Sequence, residues 1–289
     1  MLCEPVLLLP AFRSGRETPW AGDILRRCYE KYTLGNQIGE SYDFSLLPHL
    51  ESTAPDDEKL SSVLQRADIT PEQVPFLTKW VDAEKPMSIH VHPHDEYVIV
   101  LRTRVDARLF SLSNSVSKEL LKESLLTENA DHLFSSVPLS CGDAIYIPAG
   151  VPHALQGVTC YQIQHPGNGN ISYRVYDWNR LNARGQKQPL QLEHALPLLS
   201  EKAPVFLSAH DDTVLQADSF FCKQLKNVEK YPLNFVGRFA VLTCLEASLI
   251  QLANGRHLYL SAGQTLFLPN TIKTALLTSP YCLLTISQE

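Results

Sequence analysis

Short runs rich in Val, Ile, Tyr and Leu, bounded by Pro, Gly, Asn or Asp, recur along most of the chain. They fall at 76–81, 87–92, 97–101, 107–112, 144–147, 160–164 and 173–176. After a break they resume at 220–225, 233–235, 239–245, 249–251, 257–260, 265–268, 274–277 and 282–286. β-branched and aromatic residues suit a pleated surface, and Pro, which lacks a ladder donor, punctuates strands. Strands spaced about 8–12 residues apart point to a sandwich or barrel. Helical periodicity is confined to 23–32, 58–67, 117–134 and 191–199. In 117–134, Ser117 is an N-cap candidate, and Leu120, Leu121, Leu125 and Leu126 form an apolar stripe. The expectation is a mainly β chain with a small helical insertion at 117–134.

The break lies near 200–204, and the two sides echo each other. Gly142-Asp-Ala-Ile-Tyr-Ile-Pro148 has the same form as Gly263-Gln-Thr-Leu-Phe-Leu-Pro269. Each is a glycine, an alternating apolar run, then a proline, as two copies of one β-fold would produce. The chain is therefore read as two units, 1–200 and 201–289.

Composition excludes several classes. With 44% hydrophobic and 19% charged residues, the 289-residue chain has the make-up of a folded protein, not a disordered one. Its formal charge of −6 gives no reason to expect nucleic acid as a partner. Seven cysteines, an odd number with no Cys-x-x-Cys, argue against a disulfide framework or a cysteine zinc knuckle and suit a reducing cytoplasm. The N-terminus has a short apolar run with Glu4 in it and no basic residue before it, so no signal peptide is expected. No run approaches the ~18–20 apolar residues of a membrane span.

The densest chemistry lies in Ile89-His90-Val91-His92-Pro93-His94-Asp95-Glu96-Tyr97. On a strand, alternate side chains share a face, so His90 and His92 point one way and Ile89 and Val91 the other. Two imidazoles about 7 Å apart along a strand can chelate one metal. A lone His-x-His is more often a polar surface strand; Glu96 adds a hard oxygen donor that shifts the balance. A further donor candidate is His153, which follows a Pro148-Ala-Gly150 turn and opens the next run. Alone, it would more often be a structural histidine.

Together these two segments match the paired motifs of the cupin superfamily, H-x-H-x3-E and G-x5-P-x-G-x2-H. The resemblance implies a double-stranded β-helix, or jelly roll, with His90, His92, Glu96 and His153 around one divalent metal. Such a donor set leaves coordination positions open for water or substrate. Flanking segments narrow the match: Trp20-Ala-Gly22, Gly39-Glu40-Ser41, Phe76-Leu-Thr-Lys79-Trp, Pro86-Met-Ser-Ile-His90, and Tyr173-Arg174-Val-Tyr176-Asp177-Trp178. Their order resembles the compact class I mannose-6-phosphate isomerases, or phosphomannose isomerases, over most of the chain. That family is zinc-dependent and interconverts mannose 6-phosphate and fructose 6-phosphate. The resemblance implies two jelly rolls, the metal-binding one within 1–200 and a degenerate one in 201–289. It implies Arg174 as a phosphate or oxyanion contact, and Lys79, Trp20, Glu40 and Gln162 in the substrate pocket.

The chain departs from the family at three positions near the implied chemistry. His90 stands where the family usually has Gln, His94 where it has Lys, and Gln162 where it has Glu. Gln cannot act as a general base; His94 titrates near neutrality and is the candidate proton carrier. The loop at 166–170 is about two residues longer than in the family. The expected function is a metal-dependent sugar-phosphate isomerase in the cytoplasm. Two alternatives stay open: a non-catalytic sugar-phosphate-binding cupin, and another metal-dependent cupin enzyme such as an iron oxygenase.

Overall fold

The computed structural model describes residues 2–113, 116–127, 130–166, 172–181, 185–208, 212–235, 237–272 and 274–288. Its strands pair antiparallel into two sheets. The spine of the first runs Val205–Leu207, Ala144–Ile147, Glu96–Leu112, His153–Gln164, Leu77–Ala83, Ile38–Phe44, Ala11–Ser14. Ile89–Val91 and Tyr173–Tyr176 attach to it beside His153, and Phe134–Pro138 beside the far end of Glu96–Leu112. The second runs Val6–Leu8, Thr265–Leu268, Ala240–Cys244, Ala275–Ser287, Phe220–Leu233, Thr213–Gln216, with the pair Ser248–Leu252 and His257–Leu260 beside Ala275–Ser287. The architecture is mainly β, as the strand spacing requires.

Two strands cross position 200. Val6–Leu8 pairs with Thr265–Leu268 in the second sheet, and Val205–Leu207 pairs with Ala144–Ile147 in the first. Between the sheets Phe44, Phe76, Phe220, Phe239 and Phe267 meet with ring centroids 5.4–6.2 Å apart, an aromatic seam of fully desolvated rings. A polar seam runs beside it. Lys31 Nζ donates to both oxygens of Asp43 (2.9 and 2.7 Å) and to the Gly263 carbonyl (2.9 Å), while Asp43 also accepts from Trp80 Nε1 (3.1 Å) and Thr265 Oγ1 (2.8 Å). Every member of this network is buried, so its satisfaction is what makes it tolerable.

Where the elements differ from the expectation, the cause is visible. The runs 97–101 and 107–112 belong to one strand, Glu96–Leu112, whose middle (102–106) carries three charged residues and lies mostly exposed. Ile38–Phe44 escaped notice because Glu40, Ser41 and Asp43 break its apolar pattern, yet all seven positions are buried. The helix expected over 117–134 is shorter: Lys118–Leu126, capped by Ser117 Oγ accepting from Leu120 N at 3.2 Å. Residues 128–129 lie outside the described residues, and Phe134 already begins a strand. Leu121 and Leu125 are buried, whereas Leu120 and Leu126 face solvent. Among the described residues no helix is long and apolar enough to cross a membrane.

Candidate metal and substrate site

Strand alternation builds the site. Ile89 and Val91 are fully buried in an apolar core, which turns His90 and His92 to the opposite face. On one side Tyr173–Tyr176 places Arg174 opposite His90; on the other, the start of His153–Gln164 places His153 opposite His90. The turn before His153 needs Gly150. Its φ of 78° is in the left-handed region, and a Cβ there would lie 2.0 Å from the Leu198 carbonyl oxygen. The Gly150 N–H donates to the His92 carbonyl at 2.8 Å, tying the segments that carry His92 and His153 together.

The ligand atoms of His90, His92 and His153 all lie within 4.8 Å of one another. Glu96 joins them: Oε2 is 3.4 Å from His92 Nε2, and Oε1 is 3.6 Å from His153 Nε2. His90 Nδ1 and His153 Nδ1 each donate at 2.9 Å to a backbone carbonyl two residues back, of Ser88 and Val151. That fixes their tautomers and leaves each Nε2 lone pair facing the group. Both nitrogens of His92, His153 Nε2 and Glu96 Oε2 are buried with no hydrogen-bond partner. Four such atoms in one place need an explanation beyond packing.

The electrostatics agree. Burial pushes His90 down to about 3 and His92 well below the usual imidazole range, so both are neutral at pH 7. Burial works against the Glu96 carboxylate as well. The neighbouring His153 and His92 rings and the Lys79 ammonium outweigh it, and Glu96 is held below the usual carboxylate range and stays ionised. Neutral imidazoles and an ionised carboxylate are the states a divalent cation requires of its ligands. The residues present therefore fit a divalent metal, with three nitrogens and one carboxylate as donors.

A cavity of 150 Å³ opens in front of His90 and His92. Trp20, Glu40, Lys79, Gln162 and Arg174 all line it, so these sequence candidates share one space. Lys79 Nζ pairs with Glu40 Oε1 at 3.0 Å, and Arg13 Nη1 pairs with the other Glu40 oxygen at 3.2 Å. Burial opposes both charges of the first pair. The two cations nevertheless hold Glu40 below the usual carboxylate range, and Glu40, Tyr42 and Glu96 hold Lys79 above the usual lysine range. Gln162, opposite Lys79 across the sheet, donates from Nε2 to Glu96 Oε1 at 3.0 Å. Arg174 Nε donates to Ser88 Oγ at 3.1 Å and Nη1 to the Pro189 carbonyl at 3.2 Å.

His94 takes a different place from the one expected of a proton carrier. It is buried behind His92, with ring centroids 5.0 Å apart, and its Nε2 meets Gln164 Nε2 at 2.7 Å. It is absent from the cavity wall, and burial lowers it to about 4. The loop expected to be long at 166–170 lies, apart from Pro166, outside the described residues. Arg13, Glu17, Ser88 and Gln191 also line the cavity and were missed from the sequence. Arg13, Glu17 and Gln191 sit in segments whose spacing carries no signal; Ser88 lies within a quoted motif, without a role.

No family model matches the chain. The chain is 28% identical over 228 residues to a mannose-6-phosphate isomerase of Streptococcus mutans, covering 69% of this chain and 70% of that protein. Its fold superposes on the crystal structure of mannose 6-phosphate isomerase from Bacillus subtilis with a TM-score of 0.82 at 21% identity, covering 99% of both chains. It also superposes on a mannose 6-phosphate isomerase bound with zinc and yttrium, with a TM-score of 0.73 at 13% identity over 99% of both chains. The fold is the cupin jelly roll of these solved structures. In sequence the chain is similar to mannose-6-phosphate isomerases, at 28% identity to the Streptococcus mutans protein and 26% to a Bacillus subtilis protein named mannose-6-phosphate isomerase ManA, each over 69% of this chain.

Proposed function

We propose that the protein is a metal-dependent aldose–ketose isomerase that interconverts mannose 6-phosphate and fructose 6-phosphate through an enediol, and that its metal is zinc. The observation that carries this reading is that the imidazole and carboxylate cluster opens onto the same small cavity as Arg174 and Lys79. The names of the similar proteins support it.

His90, His92, Glu96 and His153 would hold the ion, which when bound supplies Lewis acidity toward the sugar's C1 and C2 oxygens. The chain's own groups do the rest. Arg174 would take the 6-phosphate through its planar fork, its orientation fixed by Ser88 and Pro189. Lys79, kept protonated, would stabilise negative charge developing on the enediolate oxygens. Gln162 steadies Glu96 and moves no proton. Trp20 walls the cavity against water. We read 1–200 as the unit that holds the metal and 201–289 as a second jelly roll; all four proposed ligands lie before 200. The cytoplasm is the proposed compartment.

A second reading, a sugar-phosphate-binding protein without turnover, is favoured by the amide at Gln162 and by the position of His94 behind His92. Assaying the zinc-loaded protein with both sugar phosphates separates the two. Interconversion in both directions supports the isomerase. Intact metal with measurable sugar-phosphate binding and no turnover supports the second.

A further inference from the structure

We propose that Glu17 is the catalytic acid–base group that carries the proton between C1 and C2, a role that rests on the isomerase reading above. Isomerisation needs a group in the cavity that can lose and regain a proton beside the sugar. The wall offers few. His90 and His92 are committed to the donor cluster. Arginine does not deprotonate in proteins. Lys79 and Glu40 are locked to each other at 3.0 Å, with Arg13 on the second oxygen of Glu40, so neither is free to exchange a proton. Gln162 has no proton to exchange, and His94 is outside the wall. The remaining titratable group of the wall is the Glu17 carboxylate, which is in no ion pair among the described residues.

The loop holds Glu17 in place. Its Oε2 accepts from Ser14 N at 3.1 Å, leaving Oε1 open. Glu17 N and Thr18 N both donate to the Ser14 carbonyl at 3.0 Å, and Thr18 Oγ1 donates to it at 2.7 Å. Thr18 is buried against Gly39, where a Cβ would lie 2.3 Å from Thr18 Oγ1. The bare glycine thus lets the turn seat directly beside the strand that carries Glu40. Glu17 also lines a wider groove of 1270 Å³, which gives its carboxylate contact with bulk water.

The step balances within substrate and carboxylate. Glu17 takes the C2 proton of the aldose; the C–H electron pair forms the C1=C2 bond, and the C1=O1 π pair moves to O1. Glu17 then returns the proton to C1, which takes the C=C pair as a C–H bond. The O2 proton passes to O1 as an O2 lone pair closes C2=O2. No oxidant or reductant is needed.

The test is Glu17→Gln in the zinc-loaded full chain, because Gln keeps an oxygen for the Ser14 N–H. The expected result is kcat lowered about 10²–10⁴-fold, with KM within a few-fold and zinc stoichiometry unchanged. Glu17→Asp should be intermediate, with a larger isotope effect on C2-deuterated mannose 6-phosphate. An active wild type with Glu17→Gln within a few-fold of it in kcat would overturn the assignment while leaving the isomerase reading intact. An inactive wild type that binds zinc and sugar phosphate would overturn both.

Discussion

His90 and His153 face each other across neighbouring antiparallel strands, with ring centroids 4.5 Å apart and each Nδ1 held by a carbonyl two residues earlier in its own chain segment. The backbone, not the cation, aims these rings. Such a site is preorganised, so its loss and the loss of the fold are separable.

Removing one ligand should therefore weaken the metal without unfolding the protein. His92→Ala is expected to lower zinc affinity by more than about 100-fold, beyond the 10–100-fold typical of groups that merely support a ligand. Zinc titration against a competing chelator measures this, alongside thermal melting of the metal-free forms. Unchanged stoichiometry and affinity would remove His92 from the ligand set.

Arg174→Lys keeps the charge and loses the fork. Its KM for mannose 6-phosphate should rise about tenfold or more, with little change toward unphosphorylated mannose. Steady-state kinetics on both sugars checks it. An equal loss on both would contradict a phosphate contact.

Glu40 makes the metal-free fold pH-sensitive. Its folded carboxyl is held below the usual range by Lys79 and Arg13, in spite of burial. A depressed carboxyl contributes stability that is complete above its unfolded value of about 4.3 and is lost as pH falls through the lower folded value. Unfolding free energy measured from pH 6 to pH 3 should fall less steeply in Glu40→Gln than in the wild type. Parallel curves would show that Glu40 titrates alike in both states.

Lys31→Met would strand the buried Asp43 carboxylate. Breaking a buried pair from one side costs about 3–5 kcal/mol, read by urea unfolding. Adding Asp43→Leu should recover part of that loss, since a buried charge then no longer lacks its partner. A neutral single variant would show that Trp80, Ser41 and Thr265 suffice for Asp43.

The sheets and the histidine cluster were legible because both rest on local spacing. His90 and His92 share a face by strand alternation alone, and Gly150 marks the turn that returns His153. The chemistry around them was less legible. Ile38–Phe44 hides behind two carboxylates whose cations, Lys31 and Lys79 with Arg13, come from other segments. His94 looks like a cavity group by its neighbours in sequence, yet Gln164 claims it on the far side of His92. Glu17 lies in a loop with no periodicity, and only the seating of Thr18 on Gly39 brings it to the cavity.

The pairing of Val6–Leu8 with Thr265–Leu268 joins segments far apart in sequence, and Lys31 reaching the Gly263 carbonyl reinforces it. Contacts so distant in sequence close late, because the loop entropy must be met before they form. A nascent chain emerging from a ribosome would thus expose the edge of Val6–Leu8, and leave Asp43 without its full set of donors, until residues 265–268 have emerged. Removal of the strands from Thr265 onward should therefore endanger the maturation of the proposed metal site, to which they contribute no residue.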